Sequence, residues 1–312
     1  MNPPILHHYP VSPFAEKIRV MLAWKKLAWQ SVLIPMIMPK PDLMALTGGY
    51  RRTPVLQTGA DLWCDTALIA RVLERLAPKP SLFPDGDTLA VQALAYFADS
   101  VMFNITVPVG FQPGGGMLKL FVPEASPDFL TAFGKDRAAM RQGGTVRRGP
   151  LAECKANMQG LLPKVEAQLR KAYLLGDAPC AADFSLYHVL WPVWKVPETR
   201  GLLDAFPKTV AFIERMAAFG QGTFTEISSA QAIDIARAAQ PAPIAGAQAV
   251  ETGGIALGET VNVMPVDTAL DPVRGELLQC SADEIAVRRS DPRAGTVVVH
   301  FPRFGFQVAK AS

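Results

Sequence analysis

The chain has 312 residues, 49% apolar and 19% charged, with a formal net charge of +3. That length supports two or three domains with ample core, and so small an excess of cations does not by itself indicate a nucleic-acid partner. No stretch reaches about 18 uninterrupted apolar residues, so no membrane span is expected. No basic segment precedes an apolar run as in a signal peptide, and the expected location is cytoplasmic. Cys64, Cys154, Cys180 and Cys280 are scattered and form no CxxC pair, so neither a zinc site nor a disulfide framework is expected, and no metal.

The stretch Pro4 to Trp24 organises the first 80 residues. Ile5 to Tyr9 is short, apolar and aromatic and predicts a strand. Pro10 to Pro13 is a tight connection. From Phe14 onward apolar residues recur at helical spacing, with Glu16 in the first turn and Lys25 and Lys26 at the end, where the helix dipole favours each sign. A strand that feeds a helix through a short loop turns backbone N–H groups toward whatever the loop holds. Ser12 stands at that point. Its hydroxyl would cap the helix, face a ligand, or both.

Further strands are predicted at Trp29–Pro35, at Val55–Gln57 and at Leu62–Cys64, the last two joined by a turn at Gly59. A short helix is expected at Pro41–Leu46. Asp65-Thr66 opens a helix carrying Leu68, Ile69, Val72, Leu73 and Leu76. Residues 1–80 hold ten cations against five anions.

The Ser12-Pro13-Phe14-Ala15 loop resembles the active loop of the thioredoxin superfamily. Both thiol positions are non-thiols here, so dithiol exchange at this loop is excluded. With Thr53-Pro54-Val55-Leu56 downstream, residues 2–79 are similar to the glutathione-binding domain of the glutathione transferases. The resemblance implies a cis peptide before Pro54, a glutathione cysteinyl group paired along Thr53, Pro54 and Val55, and a γ-glutamyl group on Asp65 and Thr66. Ser12 would face the sulfur, with Tyr9 as the rival hydroxyl. Thr66 stands where the family has serine. Lys40, Arg51 and Arg52, in the flanking loops, are placed to pair with the glycyl end.

Residues 77–87 are a proline-rich linker, and helical periodicity dominates 88–240. Phe97 and Asn104, on a predicted helix from Leu89 to Val107, are expected cleft walls together with Phe14. The stretch 108–127, with Gly114-Gly115-Gly116, lacks GxxxxGK[ST] and reads as a mobile loop placed to close over the cleft. Helices are expected at Phe129–Met140, from Pro150 to about Tyr173, at Pro207–Phe219 and at Ser229–Ala239. Gly143-Gly144 and Gly149-Pro150 bracket a basic patch, Arg147-Arg148. Gly176-Asp177-Ala178-Pro179-Cys180-Ala181-Ala182-Asp183 resembles the second transferase motif, with Cys180 replacing a hydroxyl; Asp183 is expected to serve folding. The stripe Phe184, Tyr187, Trp191 and Trp194 reads as core, and His188 as a hydrogen-bonded core residue.

After an Ala/Pro linker at 240–247 the period changes to two. Strands are predicted at Thr260–Pro265, Gly275–Cys280, Glu284–Arg289, Thr296–Phe301 and Phe304–Val308. Family members usually stop near residue 230, so this part lies outside the resemblance. Its arginines and phenylalanines are nearly balanced by acidic residues, and a packing module is expected rather than a nucleic-acid surface.

The expected architecture is α+β and multidomain: a thioredoxin-like α/β domain at 2–79, an all-α bundle at 88–240 and a small antiparallel β domain at 248–312. The expected function is addition of the glutathione thiolate to a small hydrophobic electrophile, as in detoxification, by a homodimer that uses glutathione as co-substrate. The alternative is a non-catalytic glutathione transferase-fold scaffold whose β-rich tail mediates interaction.

Overall fold

The computed structural model describes residues 2–111 and 115–311. The predicted strands form as β1 (Ile5–His8), β2 (Trp29–Leu33), β3 (Val55–Thr58) and β4 (Asp61–Cys64). They are joined by helices α1 (Pro13–Trp24), α2 (Pro41–Thr47) and α3 (Thr66–Leu76). A three-residue strand, β5 (Phe224–Glu226), was not expected, because FTE between Gly222 and Ser228 is too short to show a period. The tail supplies β6 (Thr260–Pro265), β7 (Val273–Cys280), β8 (Glu284–Asp291), β9 (Gly295–Pro302) and β10 (Phe306–Lys310).

The tail strands are antiparallel to one another, as predicted, but they do not stand apart from the first domain. β9 lies parallel to β4, pairing Leu62 with Val299 and Trp63 with His300. One continuous ten-stranded sheet results, in the order β10-β6-β7-β8-β9-β4-β3-β1-β2-β5. The edge that β4 would otherwise expose is thereby covered.

Two hydrophobic clusters lie about this sheet. One joins α1 and α3 to the helical region through Ile18, Met21, Ile69, Leu73, Phe184, Leu190 and Phe212. The other joins α2, the helix Ser229–Ala238 and the tail through Leu43, Leu46, Val55, Ile233, Val287, Val299 and Phe301. The tail also secures α2 directly. Arg289 donates to the Ala45 carbonyl (2.5 Å) and the Leu46 carbonyl (3.3 Å), acceptors left over at the helix end. Gly48 ends α2 at φ +76°, and a Cβ there would collide with the Arg289 side chain. Arg288 pairs with Glu276, Arg293 with Asp42, and Arg303 donates to the Glu251 carbonyl. The tail cations therefore serve internal contacts.

His300 fastens the tail most tightly. It is 3% exposed and stacks on Trp63 with ring centroids 3.8 Å apart. Its Nε2 donates to Asp61 (3.0 Å) and its Nδ1 to Glu284 (2.8 Å). Carboxylates only accept, so both ring nitrogens carry protons and the imidazole is charged. Burial lowers its pKa, but the bonds to Asp61 and Glu284 win and raise it above 6.5. Arg75, over the Trp63 ring and 3.7 Å from Glu284, is the one further charge facing the group among the described residues. A raised folded pKa contributes stability below the unfolded value, and the contribution is lost as pH rises through the folded value. Thermal melts of the protein against His300→Gln are expected to differ most near pH 6 and to converge on the alkaline side. An undiminished difference at high pH would show that packing alone fastens the tail.

The expected helical region forms with shifted boundaries: Leu89–Gly110, Gly116–Phe121, Pro127–Met140, Leu151–Gln168, Ala181–Lys195, Pro207–Ala217 and Ser229–Ala238. Leu89–Gly110 is long and apolar enough to cross a membrane by length and composition alone, which the uninterrupted-run criterion missed. It packs along Ala181–Lys195 and contains one wide turn at Ala98–Met102, where the Phe103 N–H bonds to the Ala98 carbonyl. Asp183 accepts from the Cys180 N–H (2.8 Å), the Cys180 thiol (3.2 Å) and the Leu174 N–H (2.8 Å), a folding role. His188 is buried and donates from Nε2 to Asp99 (2.8 Å). The expected mobile loop is in part the helix Gly116–Phe121, and its residues 112–114 lie outside those described.

Candidate functional site

A cavity of about 550 Å³ opens between the α1 end of the sheet and the helical region. Tyr9, Ser12, Phe14, Lys40, Arg52, Thr53 and Asn104 all line it. Ser12 is the N-cap of α1. Its Oγ accepts from the Ala15 N–H at 3.2 Å, and its backbone N–H bonds to the Tyr9 carbonyl at 3.2 Å. A hydroxyl has one donor and two acceptor positions, so capping leaves the Ser12 hydrogen free to donate toward an anion. The anion would also lie at the positive end of α1.

The Thr53–Pro54 peptide is cis. Thr53 precedes β3, and its N–H and carbonyl take part in no backbone hydrogen bond among the described residues. An extended peptide laid beside it would find both a donor and an acceptor. Pro54 and Val55 are buried beneath Thr53 and do not reach the cavity.

Lys40, 2% exposed, donates to the Thr53 hydroxyl (3.3 Å) and the Arg51 carbonyl (3.2 Å). Burial, then repulsion from Arg137, lowers its amine to about 7, against the pull of Asp136. Tyr9 is held from the helical side, where Arg137 donates to its hydroxyl at 3.0 Å. Arg137 and Arg51 share Asp136.

Besides Pro54 and Val55, three expected site residues lie elsewhere. Asp65 caps α3 through the Ala67 N–H (2.9 Å), and the Thr66 hydroxyl accepts from Lys17 (3.2 Å). Neither lines the cavity. Phe97 is 41% exposed and outside the lining. Phe103, just beyond the wide turn at Ala98–Met102, lines the cavity. Arg52 lines the cavity but is ion-paired with Asp267 and donates to the Thr268 carbonyl, both from the tail.

Sequence reasoning did not anticipate Asp99, Phe103, Phe133, Arg137, Arg141, Asp267 or Thr268 in the lining. Only Arg148 carried a signal, as half of the basic pair between two glycine-containing breaks. Burial raises the Asp99 carboxyl, but Lys17 and His188 outweigh it and hold the pKa at about 2. Asp99 is thus a fixed anion in the wall.

The glutathione S-transferase N-terminal domain family matches residues 6–81, and the corresponding C-terminal domain family matches residues 149–215. A GST-like protein from Pseudomonas syringae, solved by crystallography, is 41% identical over 100% of both chains, with a TM-score of 0.82. The chain belongs to the glutathione S-transferase family. A glutathione S-transferase from Rhodospirillum rubrum is 20% identical over 69% of this chain and 88% of its own, with a TM-score of 0.51. A β-etherase from a Sphingobium strain is 15% identical over 70% and 96%, with a TM-score of 0.52. These two share the fold alone. Among curated proteins none matches the sequence. The Pseudomonas match spans the whole chain, tail included, whereas the two distant structures cover about seven-tenths of it.

Proposed function

We propose that this glutathione S-transferase family member binds glutathione along Thr53, sets its sulfur against the Ser12 hydroxyl, and transfers it to an electrophilic carbon. The observation that carries this reading is the free Ser12 hydrogen at the α1 N-terminus, opening on the same cavity as the unpaired Thr53 backbone. Donation from Ser12 and the helix end favour the thiolate over the thiol, so more nucleophile is present at neutral pH. With an aryl chloride, the thiolate forms the new C–S bond and the C–Cl bond breaks. Chloride leaves with the bonding pair, and the thiol proton goes to solvent.

Lys40 supplies a cation for a glutathione carboxylate, and its lowered pKa makes this measurable. Near neutrality the free amine is partly unprotonated; a bound carboxylate raises its pKa again. S-Methylglutathione, which has no thiol proton to lose, is expected to bind with proton uptake, seen as a buffer-dependent heat in titration calorimetry. Its affinity should fall as pH rises above about 7. Binding with no proton uptake would remove Lys40 from the contact. Conjugation of glutathione to chlorodinitrobenzene tests the reaction itself. Binding without turnover would favour the scaffold reading, and neither binding nor turnover would overturn the transferase reading.

A homodimer is proposed through the exposed apolar residues Leu89, Tyr96, Phe97 and Val101, next to which Phe304 of the tail packs on Tyr96 at 5.2 Å. Light scattering that gives a monomer mass at high concentration would exclude it.

A further inference from the structure

The cavity wall is unevenly charged. Among the described residues, Lys40, Arg51, Arg52, Arg137, Arg141 and Arg148 line it, against Asp99 and Asp267. Most of these charges are already placed: Arg51 and Arg137 on Asp136, Arg52 on Asp267, Asp99 on Lys17 and His188. The guanidinium groups of Arg141 and Arg148 have no ion pair or hydrogen-bond partner among the described residues. Arg141 is half-buried and Arg148 is exposed at the cavity rim; both guanidinium groups are pushed down, Arg148 to about 10, by partial desolvation against the wall first and then by neighbouring arginines. Cations crowded without a counter-charge are unfavourable, and an anion would relieve the repulsion.

The pair is also positioned. Arg141 is the C-cap of the helix Pro127–Met140, and Arg148 precedes the helix Leu151–Gln168. The tail braces the segment between them. The Val146 N–H donates to the Asp267 carbonyl (3.3 Å), the Ala269 N–H donates to the Met140 carbonyl (2.6 Å), and a Cβ on Gly144 would overlap the Asp267 carbonyl oxygen. Both arginines belong to the helical side of the cavity, whereas Ser12, Lys40 and Thr53 come from the thioredoxin-like side. Phe103, Val107, Leu130 and Phe133 add an apolar wall to the helical side.

We propose that Arg141 and Arg148 form an anion subsite for the second substrate, an amphipathic organic acid whose aryl or alkyl body lies against Phe103 and Phe133 while its carboxylate or sulfonate meets the two guanidinium groups. This deepens the transferase reading and rests on it: the electrophile is acidic rather than merely hydrophobic. Arginine suits the role because its planar fork matches a carboxylate or sulfonate edge.

The test compares anilinonaphthalene sulfonate with uncharged phenylnaphthylamine, two fluorescent probes of similar apolar body. Arg141→Gln/Arg148→Gln is expected to weaken the sulfonate by at least about tenfold, leaving phenylnaphthylamine and S-methylglutathione affinities unchanged. Arg148→Lys should retain part of the sulfonate affinity. In the unaltered protein, raising the ionic strength should weaken the sulfonate and spare the naphthylamine, a measurement independent of how any variant folds. Equal effects on the two probes, or none, would overturn the subsite. So would loss of S-methylglutathione affinity alone, which would assign the arginines to the tripeptide. Turnover separates this from the broader reading. The subsite predicts that chlorodinitrobenzoate is preferred over its methyl ester and that the double variant abolishes the preference. Charge-selective probe binding with no turnover of either would refute the transferase reading and leave an organic-acid site.

Discussion

Ser12→Ala is expected to lower kcat/KM for glutathione conjugation by about a hundredfold, the loss typical when one donor to a developing or held anion is removed from a preorganised site. The pH midpoint of the rate should move upward, because without the Ser12 donor the thiol of bound glutathione ionises less readily. Stability is expected to fall by only about 1 kcal/mol, since Ser12 also caps α1 through the Ala15 N–H. The two effects are separable: Ser12→Thr keeps a hydroxyl and should restore much of both. Tyr9→Phe removes an acceptor from Arg137 and is expected to cost less than about tenfold. The reverse ranking, with Ser12→Ala active and Tyr9→Phe inactive, would transfer the sulfur contact to Tyr9.

The largest stability loss is expected at Glu16. In sequence this residue reads only as a first-turn carboxylate that suits the helix dipole. In the fold it is buried, 6% exposed, and accepts from Arg19 Nε (3.1 Å) and Nη2 (2.7 Å), from the Tyr187 hydroxyl (3.2 Å) and from Gln221 (3.3 Å). These contacts weld α1 to the helix Ala181–Lys195. Arg19 itself is 1% exposed and, among the described residues, has besides Glu16 only neutral acceptors: His8 Nδ1 and the Tyr9 and Pro10 carbonyls. His8 stays neutral, lowered to about 3 by burial and then by Arg19 and His7. Glu16→Ala therefore leaves a buried cation without a counter-charge, which costs about 3–5 kcal/mol and on the order of 10 °C in melting temperature. Replacing Glu16 and Arg19 together with leucine and methionine should cost far less, because no orphaned charge remains. A loss below about 1 kcal/mol for Glu16→Ala, read by denaturant unfolding, would show that the weld is dispensable.

Features set by a few neighbouring residues were legible in the sequence. The Ser12 loop and the Thr53-Pro54 step are local patterns, and Ser12 and Thr53 both line the cavity. Helix and strand positions followed from periodicity. What periodicity cannot supply is the partner of a strand or the phase of a helix after an irregular turn. The period-two tail announced strands, yet nothing in Gly295–Pro302 says that β9 will lie beside β4. The wide turn at Ala98–Met102 resets the helical phase between Phe97, outside the cavity lining, and Phe103, within it. Asp65 and Thr66 are a different case: the motif is present, and in the fold the carboxyl caps its own helix while Lys17 donates to the hydroxyl. Arg137, Arg141 and Asp267 reach the cavity from distant parts of the chain, and no local spacing marks them.

Because Val299 pairs with Leu62, the border of the amino-terminal domain is finished by residues made more than two hundred positions later. During synthesis, β4 emerges with an open hydrogen-bonding rim, and Arg52 emerges long before Asp267. Ribosome-bound chains that end before β9 should therefore be prone to wrong pairing at that rim. The ligand chamber acquires its last wall only once Asp267 and Thr268 have been made, so a product truncated before them has a defective pocket even where the Ser12 and Thr53 motifs are intact.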